Sequence, residues 1–116
     1  MTGYDIYTKA LLRLGYPDGQ DGNNQKRQLK PALEYTKIIC NDLNLPLIKD
    51  LSEEINFTND QTEALCCGLC MHISRSEGDK TKCDLYTTVY NCNRARVLYK
   101  ALMVKDTLPR VVDGGQ

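Results

Sequence analysis

The chain has 116 residues, and fifteen Lys and Arg balance fifteen Asp and Glu, so its formal net charge is zero. This length predicts one domain with one modest core. A neutral chain disfavours strong nucleic-acid binding, which needs excess cationic charge, and no apolar run is long enough to span a membrane. The N-terminal residues lack a signal-peptide pattern, so we expect a reducing cytoplasm and no structural disulfides among the six cysteines.

The first half of the chain reads as two helices. Apolar residues at helical spacing predict the first over 2–14, ended by Gly15. Residues 16–23 are rich in turn formers and predict a loop. The second helix is expected over 25–43, with Pro31 inside its apolar pattern, so this helix either kinks or begins at the proline.

The second half predicts two further helices. Residues 47–57 are irregular, with at most a short helical turn. Helix-start residues precede a third helix over 60–76, and Gly78 ends it. The fourth helix is expected over 80–105 and is the longest. Its predicted inward stripe comprises Tyr86, Tyr90, Asn93, Val97, Ala101 and Val104, widened by Leu85, Val89 and Cys92.

The C-terminal residues differ in character from the helices before them. The stretch 97–104 is apolar on nearly all sides, so it requires cover that a neighbouring copy of the chain would supply. From Leu108 onward, a proline, β-branched residues and a Gly-Gly pair predict an extended arm. We therefore expect an all-α bundle of about four helices over 1–107 and an arm over 108–116.

Cys66, Cys67 and Cys70 form the most conspicuous cluster in the sequence, with His72 close behind. A zinc site needs converging pairs of ligands, and the other cysteines are not spaced as such a pair. A redox Cys-x-x-Cys needs its first sulfur at a helix N-terminus, whereas Cys67 is predicted mid-helix. We favour free cysteines that pack as small hydrophobic residues, with a metal- or redox-linked protein as the alternative.

No motif in the chain indicates catalysis. His72 is the only histidine, and no nucleophile elbow accompanies it. No glycine-rich phosphate loop or zinc-protease pair occurs. We expect a protein that is not an enzyme and that needs no cofactor or metal. A small transcription regulator is disfavoured, because no helix-turn-helix signal or basic recognition helix is recognisable.

The charges are unevenly distributed along the chain. Five acidic residues and no basic residue fall in one stretch, and the basic residues dominate another. The acidic set is Asp50, Glu53, Glu54, Asp60 and Glu63; the basic set over 94–110 is Arg94, Arg96, Lys100, Lys105 and Arg110, opposed by Asp106. These are either two solvated faces or complementary surfaces that meet between molecules. A contact of the second kind generates rings when the rotation closes, and we assign Asp50, Glu53, Glu54, Asp60, Glu63, Arg94, Arg96 and Lys100 to it.

Several short patterns give the chain a family resemblance. Ala64-Leu65-x-x-Gly68-Leu69, followed by Gly78-Asp79 and then by Tyr86 and Tyr90-Asn91-x-x-Arg94, resembles the small helical head–tail connector (adaptor) proteins of tailed bacteriophages. The first segment fits as well, with Ala10-Leu11 and Leu14-Gly15 before a loop. Cys67 and Cys70 stand where the family pattern has an aromatic residue and a small residue around the helix glycine.

The resemblance implies an all-helical subunit that assembles as a ring beneath the portal protein and joins it to tail components. Such a protein belongs to the virion, or to the bacterial cytoplasm when expressed from a prophage. Its C-terminal arm would reach the portal through Leu108, Pro109, Arg110, Val111 and Val112. Independently of family, Gly68 is unfavourable in mid-helix by about 1 kcal/mol relative to Ala, so we expect it to mark close approach of another backbone.

Overall fold

The computed structural model describes residues 1–16 and 22–113, and these form four α-helices. They are α1 (Gly3–Arg13), α2 (Gly22–Asp42), α3 (Asn59–Ser76) and α4 (Lys80–Asp113). No strand occurs within the described ranges, where an isolated antiparallel bridge joins Thr2 to Glu54. The all-α class and the number of helices predicted from the sequence are confirmed.

Side chains that satisfy free backbone amides start the helices. Thr2 accepts from the Asp5 amide and Asp5 from the Thr2 amide, which caps α1 from both directions. Thr58 and Gln61 cap α3 in the same reciprocal way. Two helices end at glycines with positive φ, a conformation that costs a glycine little: Gly15 (φ 99°) and Gly78 (φ 75°).

The second helix begins earlier than the sequence indicated. It starts at Gly22, and Pro31 lies inside it, so the interpretation in which the helix begins at the proline is wrong. A proline removes one backbone hydrogen bond, which the rest of a long helix tolerates. Residues 17–21 of the predicted loop lie outside the described residues. Residues 47–57 form no helix, and three apolar residues of this segment are buried: Ile48, Leu51 and Ile55.

The fourth helix is longer than predicted and includes most of the expected arm. It runs through Asp113, so residues 108–113 are helical and the prediction of an extended conformation there is wrong. Pro109 and the β-branched residues after it favour an end to the helix, whereas the helix continues past this proline to Asp113. The final residues, 114–116, are outside the described part of the chain.

The third helix lies at the centre of the fold. α3 packs against α1, α2 and α4, and every residue from Ala64 to Met71 is buried. α1 contributes Ile6, Tyr7, Ala10 and Leu11 to this core. The other helices therefore have one face on α3 and one face outside, and a contact surface must be sought on those outer faces.

Candidate functional site

The cysteine cluster lies in the buried middle of α3. Cys66, Cys67 and Cys70 are each exposed by 1% or less, and all are free thiols. Cys67 is two turns inside the helix, away from the N-terminal amides that would stabilise a thiolate. This is the placement expected of cysteines that act as small packing residues.

One ion pair covers the sulfur of Cys67. The Arg13 guanidinium binds Glu63 through two hydrogen bonds of 2.5 and 2.7 Å, and its Nη1 also lies 3.6 Å from the Cys67 Sγ. Burial, together with the neighbouring Glu63 carboxylate, raises the pKa of Cys67 to about 12. The thiol is therefore protonated at neutral pH, and a protonated thiol is a poor nucleophile and a poor metal ligand.

The other buried thiols differ from one another. Burial raises the pKa of Cys40 to about 11. A hydrogen bond between Cys70 and Cys66, reinforced by burial, raises the pKa of Cys70. The same hydrogen bond, together with the positive charge of Arg13, lowers the pKa of Cys66. Within the part of the chain that the structure describes, no group of three His, Cys, Asp or Glu side chains is placed to hold a metal ion.

The single histidine packs against an aromatic ring. His72 stacks on Tyr35 of α2, with ring centroids 4.9 Å apart and planes 12° apart. Burial, with the positive charge of Arg75, lowers the pKa of His72. The neutral imidazole of His72 thus packs α3 against α2 through this stacking contact.

The helix glycine marks a close approach, though by side chains and not by backbone. A Cβ at Gly68 would lie 2.6 Å from the Ile39 Cδ1 on α2 and 3.1 Å from the Tyr90 Cε1 on α4. The expectation that a backbone passes here is wrong. A glycine at this position allows two large side chains, one from α2 and one from α4, to pack onto α3 at the same point.

Several residues that we assigned to contacts between chains are paired within the chain. Asp60, in the first turn of α3, binds Lys100 of α4. This hydrogen bond lowers the pKa of Asp60. Glu63 binds Arg13 as described, and Glu54 binds the N-terminal ammonium group of Met1. These pairs join the segments around the start of α3 to one another.

The basic half of α4 is tied to α2 in the same way. Arg94 Nε donates to Asp42 Oδ2 over 2.7 Å, and the Tyr90 hydroxyl donates to the same oxygen over 2.6 Å. Burial alone would raise the pKa of Asp42, but these two hydrogen bonds hold it below its usual value. Asp42 was not among our candidates, since its partners lie about fifty positions away in the sequence and no local pattern joins them.

Three of the assigned residues remain available. Within the described ranges, Asp50, Glu53 and Arg96 form no salt bridge. Asp50 and Glu53 accept from the backbone amides of Ser52 and Lys49. All three are exposed, although Arg96 also donates to the Asn93 Oδ1 over 3.4 Å. Among the residues whose side chains the structure describes, these three members of the charged sets therefore lack a charged partner and can contact another molecule.

The outer side of α4 is apolar and exposed. Tyr90 and Val97 are buried as predicted, whereas Ala101, placed in the same inward stripe, is exposed. Leu85 and Cys92, expected to widen that stripe, are exposed too. Exposed fractions of 62%, 62% and 46% at Tyr99, Leu102 and Met103 show how little of this end the domain covers.

None of the described helices is long and apolar enough to cross a membrane. Comparisons with protein-family models, with curated proteins and with solved structures find no match.

Proposed function

We propose that this chain is a non-enzymatic structural protein of a tailed phage or prophage: a head–tail connector that forms a ring beneath the portal and joins the head to the tail. It would reside at the head–tail junction of the virion, or in the bacterial cytoplasm when expressed from a prophage. Its partners would be further copies of itself, the portal protein and tail-proximal proteins.

The observation that carries the proposal is the unequal length of the two central helices. α3 has 18 residues and α4 has 34. Because Lys100 binds Asp60 at the start of α3, the helix from Lys100 to Asp113 continues past α3 for about 20 Å. A helix that leaves its domain with exposed Leu102 and Met103 is a typical element for binding another subunit.

The free charges suit contacts between neighbouring subunits. Asp50 and Glu53 lie in the segment before α3, and Arg96 lies on α4. Two different complementary surfaces make a head-to-tail contact, which generates a ring when the rotation between subunits closes. Salt-sensitive contacts of this kind favour correct encounter more than tight binding, so the portal would supply the template.

The chemistry of the chain fits a structural role. The pKa values of the Cys40 and Cys67 thiols are raised and that of His72 is lowered. These three groups are therefore neutral at neutral pH, and both thiols are packed in the core. The arrangement supports a function in assembly.

The test is electron microscopy of the portal protein from the same phage or prophage, alone and after mixing with this chain. The proposal predicts a ring of added density on one end of the portal and stoichiometric co-sedimentation. A portal that neither gains density nor co-sediments with the chain would contradict it.

Two variants and one control connect that test to the structure. Arg96→Glu is expected to weaken ring formation and to preserve the fold, because Arg96 has no ion pair among the described residues. Arg75→Glu, an exposed cation at the other end of α3 that also forms no ion pair among the described residues, is the matched charge reversal and should leave the ring largely intact. A chain shortened after Met103 should remain helical but should no longer bind the portal protein.

A further inference from the structure

The outer face of α4 has the repeat of one side of a coiled coil. Uncharged residues recur at alternating intervals of three and four: Leu85, Thr88, Cys92, Ala95, Tyr99 and Leu102. All of these residues are exposed, and Leu85, Tyr99 and Leu102 retain 56%, 62% and 62% of their accessible surface. This spacing places them along one side of the helix, opposite the buried Tyr90 and Val97. We call this set the outer stripe.

The outer stripe has no charged member, although 26% of the chain is Asp, Glu, Lys or Arg. From Leu85 to Leu102 it is about 26 Å long. An exposed face of that length and composition indicates a binding surface. What covers it must itself be a straight, uncharged surface of similar length, and α4 of a second copy meets that description.

We propose that two copies of the chain pair through the outer stripe, with their α4 helices antiparallel and related by a two-fold axis. The sequence of the stripe is complementary to itself in that orientation. Leu85 would face Leu102 of the second copy, and Cys92 would face Ala95 of the second copy. Thr88 and Tyr99 form the intermediate layers. The small residues fall at the axis, where they let the helices approach closely, and the leucines close both ends.

The dipole of α4 favours the antiparallel orientation over the parallel one, because two helix dipoles attract when they point in opposite directions. Lys100 lies near one end of the stripe, whereas Arg94 and Arg96 lie near its middle. A parallel pair would place Lys100 beside Lys100 of the second copy, and like charges at close range repel. The antiparallel pair moves these two lysines apart.

This inference does not rest on the proposed function. A two-fold pair uses the same surface on both copies and closes at two chains, whereas a ring needs two different surfaces. The pair is expected in the free protein without any portal. A free chain that does not dimerise would therefore leave the portal test unaffected. A chain that does not bind the portal would likewise leave the dimer test unaffected.

The first test is sedimentation of the full, reduced chain over about a hundredfold range of concentration, because self-association depends on mass action. We expect a monomer–dimer equilibrium. Leu85→Glu and Leu102→Glu should each raise the dimer dissociation constant at least about tenfold, and by similar factors, because each substitution buries a carboxylate in both outer layers. Leu47→Glu is the matched control, since Leu47 is exposed by the same 56% in the segment after α2, and it should have little effect.

The second test distinguishes the two orientations. In the double variant Leu85→Glu/Leu102→Lys, an antiparallel pair places each new carboxylate opposite a new ammonium group, so dimerisation should recover relative to either single Glu variant. A parallel pair would instead oppose like charges in both layers. Circular dichroism of each variant verifies that the helices are intact.

Each outcome decides the proposal. A dimer weakened by both Glu substitutions, unaffected by Leu47→Glu and recovered in the double variant supports it. A chain that stays monomeric at the highest concentration, a dimer that is insensitive to both Glu substitutions, or a free protein larger than a dimer overturns it. Single variants that weaken the dimer without recovery in the double variant overturn the antiparallel register.

Discussion

The two central helices differ in what surrounds them. Within α3, the residues from Ala64 to Met71 are all buried, and the only side-chain hydrogen-bonding groups among them are the thiols of three cysteines. α4 has one buried line of residues and an outer stripe in solvent. α3 therefore defines the fold, and α4 contributes to the fold with one face and offers the other for contact.

This difference explains how α4 is attached. Its inward face meets α3 through Tyr90 and Val97, and its flanks are bound by Arg94 to Asp42 and by Lys100 to Asp60. These ion pairs fix the rotation of α4 about its own axis, and that rotation determines which residues remain outside. Arg94 and Lys100, which the sequence assigns to contacts between chains, thus help to orient the outer stripe.

The largest expected effect is the difference in unfolding free energy between two leucine-to-alanine substitutions, one on α3 and one on α4. Leu65 is fully buried in α3, so Leu65→Ala should reduce the free energy of unfolding by about 2–5 kcal/mol. Leu102→Ala, on the exposed side of α4, should change it by less than about 0.5 kcal/mol at a concentration where the chain is monomeric. Urea unfolding of both variants measures the contrast, and equal losses would show that α4 is buried more than described.

A smaller effect is expected at the link between α4 and α2. Asp42→Ala leaves Tyr90 and Arg94 without their common acceptor. We expect a loss of about 1–3 kcal/mol in unfolding free energy, because the partly buried Tyr90 hydroxyl then lacks a partner. Glu34→Ala is the control, since Glu34 is exposed and, among the residues whose side chains are described, pairs with the nearby Lys37; it should cost less than about 0.5 kcal/mol. Equal losses of unfolding free energy in Asp42→Ala and Glu34→Ala would contradict the role of Asp42 in orienting α4.

The N-terminal cap of α3 is expected to contribute about 1 kcal/mol to the free energy of unfolding. Thr58→Ala removes the oxygen that accepts from the Gln61 amide, and N-cap threonines typically stabilise by about that amount. Ser52→Ala is a comparable change in the preceding segment without a helix to cap. Thermal unfolding should show a lower midpoint for Thr58→Ala than for Ser52→Ala, and the reverse order would contradict the cap.

The smallest effect is a pH dependence that arises from His72. Its pKa in the folded chain is lowered by burial and by Arg75, so the unfolded chain binds a proton more readily. The stability contribution is therefore complete above the unfolded value, near 6.5, and is lost as the pH falls towards the folded value. Urea midpoints measured between about pH 7.5 and pH 5.5 should decline for the natural chain. They should decline less for His72→Gln, and equal declines would assign the effect to other groups.

The sequence predicted which segments are helical better than it predicted which residues contact one another and which are exposed. Helical spacing and the terminating glycines Gly15 and Gly78 identify four helices because these signals are local. The end of α4 was missed, because Pro109 is a local signal for termination that a long helix overrides. The packing role of the cysteines followed from their mid-helix position, which local pattern also reveals.

The candidate contact surface was only partly predictable. Leu85 and Cys92 were placed inside because both are apolar, whereas a narrow contact with α3 leaves them outside. Asp60 and Glu63 were assigned to another chain because their partners, Lys100 and Arg13, are distant in sequence. Tertiary pairing of this kind has no periodic signature.

The most direct test of the central claim, that the outer stripe of α4 is covered by another copy, uses the thiols. Cys92 is exposed and lies in the outer stripe, Cys83 is half-buried on the same helix, and the other cysteines are buried. The rate at which a thiol reagent modifies Cys92 should fall as the protein concentration rises, because the second copy covers it, while the rate at Cys83 stays constant. A Cys92 rate that is independent of concentration, up to the solubility limit, would contradict the claim.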